Sequence, residues 1–397
     1  MKPPLQVEIA RELASELPSH APDLGLRAGV DSLHPLYRSV VVTSFATWNV
    51  LDLWSHKDTK AAAIRALEEL GESFCASRYL GGLTALHTMC EARAAQFLAG
   101  ESALLFATKN QAILTLVTAL ATGGGVVIGP AMSSLPLADA CALVDLEFVE
   151  CETAGEYLQS LERHQTASRI LLIAETVSAT TGKRIDRTPL LTGLSTHNAW
   201  VVLDESAAVA HGGLRGAGSA ETLPSAPNLL ARIVSASILT GGQVTALVCP
   251  HEVRELLVQR SRYLRVEPPP SAVETASLSS ALDLCEVTLT HREKLAIRSR
   301  LVQLAVREQG WHVVSEDDTP LVALWFDTYQ QARAIQEALL QRGIVVDALP
   351  ARSLRRNGAV VRILLSCRHT DLEITRLLDS LVEIRKRLLG QLDSAAG

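Results

Sequence analysis

Residues 200–205 read Trp-Val-Val-Leu-Asp-Glu, an apolar run that ends in two acids. Runs rich in β-branched and aromatic residues favour buried strands. Similar runs alternate with helical stretches at residues 103–106, 126–128, 146–149, 169–173, 233–235 and 245–248. This alternation predicts an α/β fold with a seven-stranded, mostly parallel sheet that is covered on both faces. Because ligands in such sheets bind beyond the carboxyl ends of the strands, Asp204 is expected to lie near a binding site.

Three parts are predicted along the 397 residues, a length that favours more than one lobe. Residues 1–50 form an N-terminal arm, and residues 51–270 form a large α/β domain that ends at the proline cluster Pro268–Pro270. Residues 271–397 form a smaller α+β domain, which opens with a long helical region and closes on an amphipathic helix.

Composition and charge argue against several classes of protein. The net charge is -6, and acids and bases are interspersed without the basic stripe that favours nucleic-acid binding. No apolar run is long enough to cross a membrane, and the N-terminal stretch carries acids where a signal peptide would be apolar. The seven cysteines lie far apart without a cysteine–histidine cluster, so no metal site is predicted and a reducing compartment fits best. The sequence therefore predicts a soluble, cytoplasmic protein.

Several motifs occur in a fixed order along the chain. A glycine-bearing turn precedes a helix with the pattern H-x-x-x-E-x-x-x-A, which starts at His87, and residues 361–366 carry the pattern V-R-I-L-L-S. In order and spacing, over about residues 45–390, these segments and the run at 200–205 resemble the α-oxoamine synthase family. That family includes 8-amino-7-oxononanoate synthase and serine palmitoyltransferase, which are pyridoxal-phosphate (PLP) enzymes related to the aminotransferases of class I and II. The resemblance implies the fold-type-I transferase architecture, with a smaller C-terminal domain.

The resemblance assigns roles to several positions of a coenzyme pocket. Asp204 is placed as the acid that keeps the pyridine nitrogen protonated, although aspartates at strand ends also cap turns. Thr108, Lys109 and Asn110 stand where the family has a turn that cradles the coenzyme phosphate. Three alternatives stay open for Lys109: its ammonium binds an anion in the pocket, fills the pocket itself, or points to solvent.

Other positions of the family pocket differ in this chain. Ser133 stands where a histidine stacks on the coenzyme ring, and Ala207 stands where a second histidine binds the ring oxygen. His211, one helical turn later, is interpreted as a local structural histidine. Thr240 belongs to a glycine-containing loop of the remnant pocket, and Arg362 is placed to receive a substrate carboxylate.

The decisive position is the lysine that forms a Schiff base with PLP in this family. Residues 235–242 resemble the lysine-bearing loop, but Ile238 stands at the lysine position, or Ser237 if the register shifts by one. No lysine occurs between Lys183 and Lys294, and Lys183 is the only distant candidate. Covalent PLP binding is therefore not expected, whereas noncovalent PLP binding stays open.

Two functions follow as hypotheses. In the first, the chain is a degenerate α-oxoamine synthase homologue that acts as a noncatalytic binding or assembly subunit in biosynthesis of an acyl-amino-acid type. It would form a homodimer, or a heterodimer with a lysine-bearing homologue. In the second, it is a PLP-independent acyltransferase that uses an acyl-CoA or acyl carrier protein thioester. The candidate catalytic residues for that reaction are His87, Ser237 and His211.

Overall fold

The structure of the chain is a computed structural model that describes residues 26–72, 76–120, 124–130, 135–186, 199–218, 228–316, 318–352 and 357–395. The strands are β1 Leu26–Asp31, β2 His34–Tyr37, β3 Val40–Val41, β4 Thr43–Ser44, β5 Ser102–Phe106, β6 Val126–Pro130, β7 Glu147–Cys151, β8 Ile170–Glu175, β9 Ala199–Asp204, β10 Leu229–Ser235, β11 Thr245–Cys249, β12 Leu321–Phe326, β13 Ile344–Val345, β14 Asp347–Arg352 and β15 Asn357–Leu364. The helices are α1 Lys57–Leu70, α2 Ala85–Phe97, α3 Lys109–Leu120, α4 Leu135–Ala142, α5 Ala154–Arg163, α6 Ser237–Thr240, α7 His251–Arg260, α8 Arg262–Val266, α9 Ala272–Val287, α10 Leu289–Glu308, α11 Tyr329–Leu340 and α12 Asp371–Ala395.

Seven of the described strands form the central sheet, in the order β5-β11-β10-β9-β8-β6-β7. Strand β11 runs antiparallel to both of its neighbours, and the other pairs are parallel. Every residue of β5 is buried, and its side chains alternate between two separate apolar cores. Ala103 and Leu105 join the core on one face, while Leu104 and Phe106 join the core on the other. The predicted α/β fold with a seven-stranded, mostly parallel sheet is confirmed, because the continuous apolar runs are buried on both faces.

The parallel strands bring the ends of distant segments to one edge of the sheet. Glu175, the last residue of β8, lies directly opposite Asp204, the last residue of β9. Asp204 is in turn in register with Ile233 of β10, and β10 ends two residues later at Ser235. The edge therefore collects side chains from segments that lie far apart in sequence.

The smaller C-terminal sheet has the order β12-β15-β14 and is antiparallel. Helix α11 packs on β14 and β15, and α10 packs on α12 and β12. The helical region predicted after the proline cluster is two helices that meet at Thr288, and α9 packs on α1 and α2 of the preceding domain. Strand β4 of the N-terminal arm pairs in parallel with β13, which joins the arm to the C-terminal lobe.

His34 links the N-terminal hairpin of β1 and β2 to helix α12. The imidazole of His34 contacts Asp31 through Nδ1 at 2.9 Å and Glu373 through Nε2 at 2.7 Å. Burial would lower the pKa of His34, but its hydrogen bonds to Glu373 and Asp31 outweigh burial and raise that pKa. Arg368 contacts Asp31 from the same helical end at 3.3 Å. The hairpin is therefore held best while His34 is protonated.

Replacement of His34 by glutamine should destabilise the protein more in mild acid than in mild base. Because the folded-state pKa of His34 is raised, its contribution is complete below the unfolded pKa and is lost as the pH rises through the folded pKa. We expect a loss of about 1 kcal/mol in the free energy of unfolding near pH 6, and a smaller loss near pH 9. Urea unfolding at both pH values measures this loss in the free energy of unfolding. Replacement of the exposed His291 by glutamine is the control. A loss that is equal at both pH values would contradict this assignment.

Candidate functional site

The candidate site includes the first turn of α3, which follows the end of strand β5. The Thr108 hydroxyl accepts a hydrogen bond from the backbone N–H of Gln111 at 3.3 Å, and the Gln111 side chain accepts one from the N–H of Ala107 at 3.0 Å. These two bonds cap the helix, so α3 begins at Lys109 beside the sheet edge. Thr108 is partly buried and Asn110 is exposed.

An ion pair joins this helix to the end of β9. The Lys109 Nζ contacts Oδ2 of Asp204, whose side chain is 7% exposed, while the Lys109 side chain is 29% exposed. The other carboxylate oxygen of Asp204 accepts the backbone N–H of Ser206 at 3.0 Å. Of the three alternatives for Lys109, the structure argues against the one that points to solvent, because the ammonium pairs with Asp204 of the same chain.

The surroundings keep the Lys109 ammonium charged. Burial would lower the pKa of Lys109, but the carboxylates of Asp204 and Glu175 outweigh burial and raise that pKa. Glu175 contributes because the β8–β9 register sets it beside Asp204. An ammonium between two carboxylates therefore stays protonated at neutral pH.

The loop after β10 carries no amine. Ile238 is 1% exposed and belongs to the core on one face of the sheet. Its carbonyl accepts the indole N–H of Trp54 at 3.3 Å. The neighbouring Ser237 is partly buried, and its hydroxyl accepts a hydrogen bond from the hydroxyl of Ser235 at 3.3 Å.

Local hydrogen bonds and Gly241 determine the conformation of the same loop. The Thr240 hydroxyl donates to the carbonyl of Ala236 at 3.2 Å and accepts the N–H of Gly242 at 3.1 Å, so it is engaged within its own turn. Gly241 has a φ of 74°, and a Cβ there would lie 3.0 Å from the ring of Trp54. The glycines of the loop are thus explained by backbone conformation and packing.

His87 has a structural position in place of the catalytic one considered from the sequence. Its Nδ1 accepts the backbone N–H of Thr84 at 3.2 Å, and its Nε2 donates to the carbonyl of Pro270 at 2.7 Å. His87 thereby caps α2 and tethers it to the proline cluster, and it is 3% exposed. Glu91, one turn later, is held by Arg78 and by the backbone N–H of Leu105. The side chains of the H-x-x-x-E pattern therefore hold α2 against the proline cluster and strand β5.

His211 is a neutral histidine in a tight turn. Its Nε2 donates to the carbonyl of Ala207 at 2.7 Å, and burial lowers the pKa of His211 to about 4. Its Nδ1 is buried and has no hydrogen-bond partner in the described part of the chain. These contacts agree with the interpretation of His211 as a local structural histidine. Ser133, the position of the stacking histidine, lies outside the described residues.

Arg362 is engaged within the protein. Its guanidinium donates to Oδ2 of Asp347 at 2.7 and 3.1 Å and to the carbonyl of Ala179 at 2.8 Å. It also lies over the ring of Trp48, 5.1 Å from the centroid. Sequence reasoning missed Asp347, although it precedes Arg362 by one hairpin and stands directly opposite it across the β14–β15 pair. A carboxylate substrate would have to share this guanidinium with Asp347.

A cleft of about 500 Å³ lies between the end of β8 and the C-terminal lobe. Its lining includes Glu175, Lys183, Tyr157 and Trp325. Lys183 is exposed there, on the segment after β8 and not on the loop after β10.

No cluster of three or more His, Cys, Asp and Glu side chains suited to a metal ion occurs among the described residues. Within the same residues, no helix combines the length and the apolarity that a membrane crossing demands.

The family model for aminotransferases of class I and II matches residues 42–381. The 8-amino-7-oxononanoate synthase of Cupriavidus necator is 28% identical over 353 residues, which cover 85% of this chain and 86% of that protein. The synthase of the same name from Geobacter sulfurreducens is 26% identical over 348 residues, which cover 86% of this chain and 88% of the relative.

Solved structures share the fold. The serine palmitoyltransferase of Sphingomonas wittichii has a TM-score of 0.84 at 22% identity and covers 96% of both chains. The 8-amino-7-oxononanoate synthase of Francisella tularensis has a TM-score of 0.74 at 18% identity, covering 88% of this chain and 99% of its own. The fold is that of the type I PLP-dependent transferases. Because the family model spans most of the chain, and relatives and fold agree with it, the chain belongs to the aminotransferase class I and II family, within the PLP-dependent α-oxoamine synthases.

Proposed function

We propose that this chain is a noncatalytic α-oxoamine synthase homologue, a binding or assembly subunit that forms no Schiff base with PLP. The observation that carries the proposal is the loop after β10, where Ile238 is packed in the core and no side chain has an amine. A Schiff base requires a primary amine within covalent reach of the coenzyme carbonyl. Neither the hydroxyl of Ser237 nor the side chain of Ile238 meets that requirement.

The remaining pocket residues also fit the coenzyme poorly. The Asp204 carboxylate, which would bind a protonated ring nitrogen, has both oxygens engaged by Lys109 and Ser206. Ala207 has no group that can bind the ring oxygen. The described residues therefore do not fit PLP held as in the catalytic members of the family, and no reaction step is derived through it.

The substrate end of the pocket supports the same conclusion. Arg362, the guanidinium expected to receive a substrate carboxylate, has three donor contacts to Asp347 and Ala179. A partly buried arginine–carboxylate pair of this kind is strong because the hydrogen bonds are charge-assisted. The two charged groups that would bind coenzyme and substrate are thus both neutralised by side chains of the chain itself.

The acyltransferase hypothesis lacks an activated nucleophile among its candidates. The ring nitrogens of His87 contact Thr84 and Pro270, and His211 donates to the backbone. The hydroxyl of Ser237 contacts Ser235. A nucleophilic serine needs a base within hydrogen-bond reach, and neither histidine supplies it. Acyl transfer stays an outcome that the experiments below can reveal.

An assembly role would use exposed apolar side chains near the start of the chain's α/β region. Ile64 and Leu67 on α1, Leu80 before α2, and Met89 on α2 are 55%, 53%, 79% and 69% exposed. A groove of about 600 Å³ runs between α1, α2 and α9, and Met89 lies in its lining. Exposed large apolar side chains are common in protein–protein contacts, which supports a dimer with a second copy or with a lysine-bearing homologue.

The purified protein should form no specific adduct with PLP. After incubation with PLP and borohydride, peptide mass spectrometry should find no single lysine modified to stoichiometry. Incubation with an amino acid and acyl-CoA should release no ketone product. The control is a lysine-bearing homologue treated in parallel, which should give both. A stoichiometric adduct on one lysine, or turnover at a rate comparable with the control, would overturn the proposed function. Acyl transfer without the adduct would favour the acyltransferase hypothesis instead.

A charge placed at an exposed apolar residue of this region, Leu80 or Met89, should prevent assembly. We expect Leu80→Asp and Met89→Glu to convert a dimer to a monomer, because each would bury an unpaired charge in the interface. Sedimentation velocity measures the change, with the protein alone and mixed with a lysine-bearing homologue. Leu372→Asp is the matched control, since Leu372 is 79% exposed on α12. A wild-type protein that stays monomeric in both samples would contradict the assembly role.

A further inference from the structure

We propose that Lys109 is a built-in occupant of the coenzyme pocket, so that shortening Lys109 opens a noncovalent site for a pyridoxine-type ring phosphate. Its ammonium holds the carboxylate oxygen of Asp204 that a protonated ring nitrogen would otherwise bind. The inference rests on the proposed function, because it assumes that no Schiff base competes for the site.

Lys109 occupies the approach to the Asp204 carboxylate. The Asp204 side chain is 7% exposed, and its Oδ1 accepts the backbone N–H of Ser206. A buried carboxylate must be paired, and Lys109 supplies the cation at Oδ2. The Lys109 side chain reaches from the first residue of α3 to this oxygen, so a ring whose N–H bound Asp204 would have to enter space that the lysine fills.

Lys109 does not leave this position by losing its proton. The charges of Asp204 and Glu175 both stabilise the ammonium. Release of Lys109 at neutral pH would therefore leave the largely buried Asp204 carboxylate without the cation at its Oδ2.

The helix itself gives no reason for a lysine at this position. Lys109 is the first residue of α3, where the helix dipole disfavours a positive charge. Its partner at the end of β9 accounts for it, because the ammonium pairs with the Asp204 carboxylate. Lys109 thus bridges the start of α3 and Asp204, and we expect its truncation to uncover both.

The test measures binding of pyridoxine 5′-phosphate, which keeps the ring nitrogen and the phosphate but has no aldehyde. It forms no Schiff base with the other lysines of the chain. Calorimetry compares the wild type with Lys109→Ala, with the double variant Lys109→Ala/Asp204→Asn, and with Lys183→Ala. Lys183 is the matched control, since it is an exposed lysine that lines the neighbouring cleft.

We expect Lys109→Ala to bind pyridoxine 5′-phosphate at least about tenfold more tightly than the wild type, through a charge-assisted hydrogen bond to Asp204. The double variant should lose this gain, and Lys183→Ala should match the wild type. Equal affinity of the wild type and Lys109→Ala would overturn the inference and leave the proposed function standing. Binding by the wild type that is lost in Lys109→Ala would also overturn it, since Lys109 would then be a ligand for the phosphate.

A second measurement uses the wild type and does not depend on the fold of a variant. Brief acetylation with acetic anhydride, followed by mass spectrometry, reports how readily each lysine reacts. Lys109 should react at least about tenfold more slowly than Lys183 in the folded protein, because an ion-paired, protonated amine is a poor nucleophile. Denaturation should remove the difference. Equal reactivity of the two lysines in the folded protein would overturn the inference.

Discussion

Two acids that end neighbouring parallel strands impose the main electrostatic constraint on this protein. The register of β8 and β9 fixes Glu175 opposite Asp204 at a largely buried edge of the sheet. The Asp204 side chain is 7% exposed, and a largely buried carboxylate needs a paired cation. Lys109 meets that requirement from the first turn of α3. Removal of one partner from a buried ion pair costs about 3–5 kcal/mol, so the pair is part of the fold as well as of the site.

Under the proposed function, the residues at the same edge retain structural roles without the family's reaction. The loop after β10 keeps its glycines because Gly241 needs a left-handed conformation against the ring of Trp54. His87 keeps its place because it caps α2 and holds the carbonyl of Pro270. These residues are required for backbone conformation and packing, and that requirement does not depend on whether the pocket catalyses a reaction. Under the proposed function, the positions that would serve only a bound coenzyme are the ones that differ, at Ile238 and Ala207.

Sequence reasoning reached the architecture because hydrophobic runs and their order record burial directly. It placed Asp204 at a strand end by the same means, and the structure puts that residue at the sheet edge. It left Lys109 open between three orientations, since the partner of a lysine depends on which strand ends lie beside it. The contact between His87 and Pro270 spans 183 positions, and no local pattern reports a contact of that kind. Asp347 was missed because its role depends on the register of a hairpin, which residue types alone did not settle.

Arg362 connects three regions of the chain that lie far apart in sequence. Its guanidinium contacts Asp347 in the C-terminal lobe, the carbonyl of Ala179 beyond β8, and the ring of Trp48 beside the N-terminal arm. Three regions distant in sequence thus share one side chain at their junction. An arginine that bound and released a substrate would make and break such contacts in every cycle, and the lobes could shift with it. Here the guanidinium makes its contacts within the chain, so it cross-links these three regions at their junction.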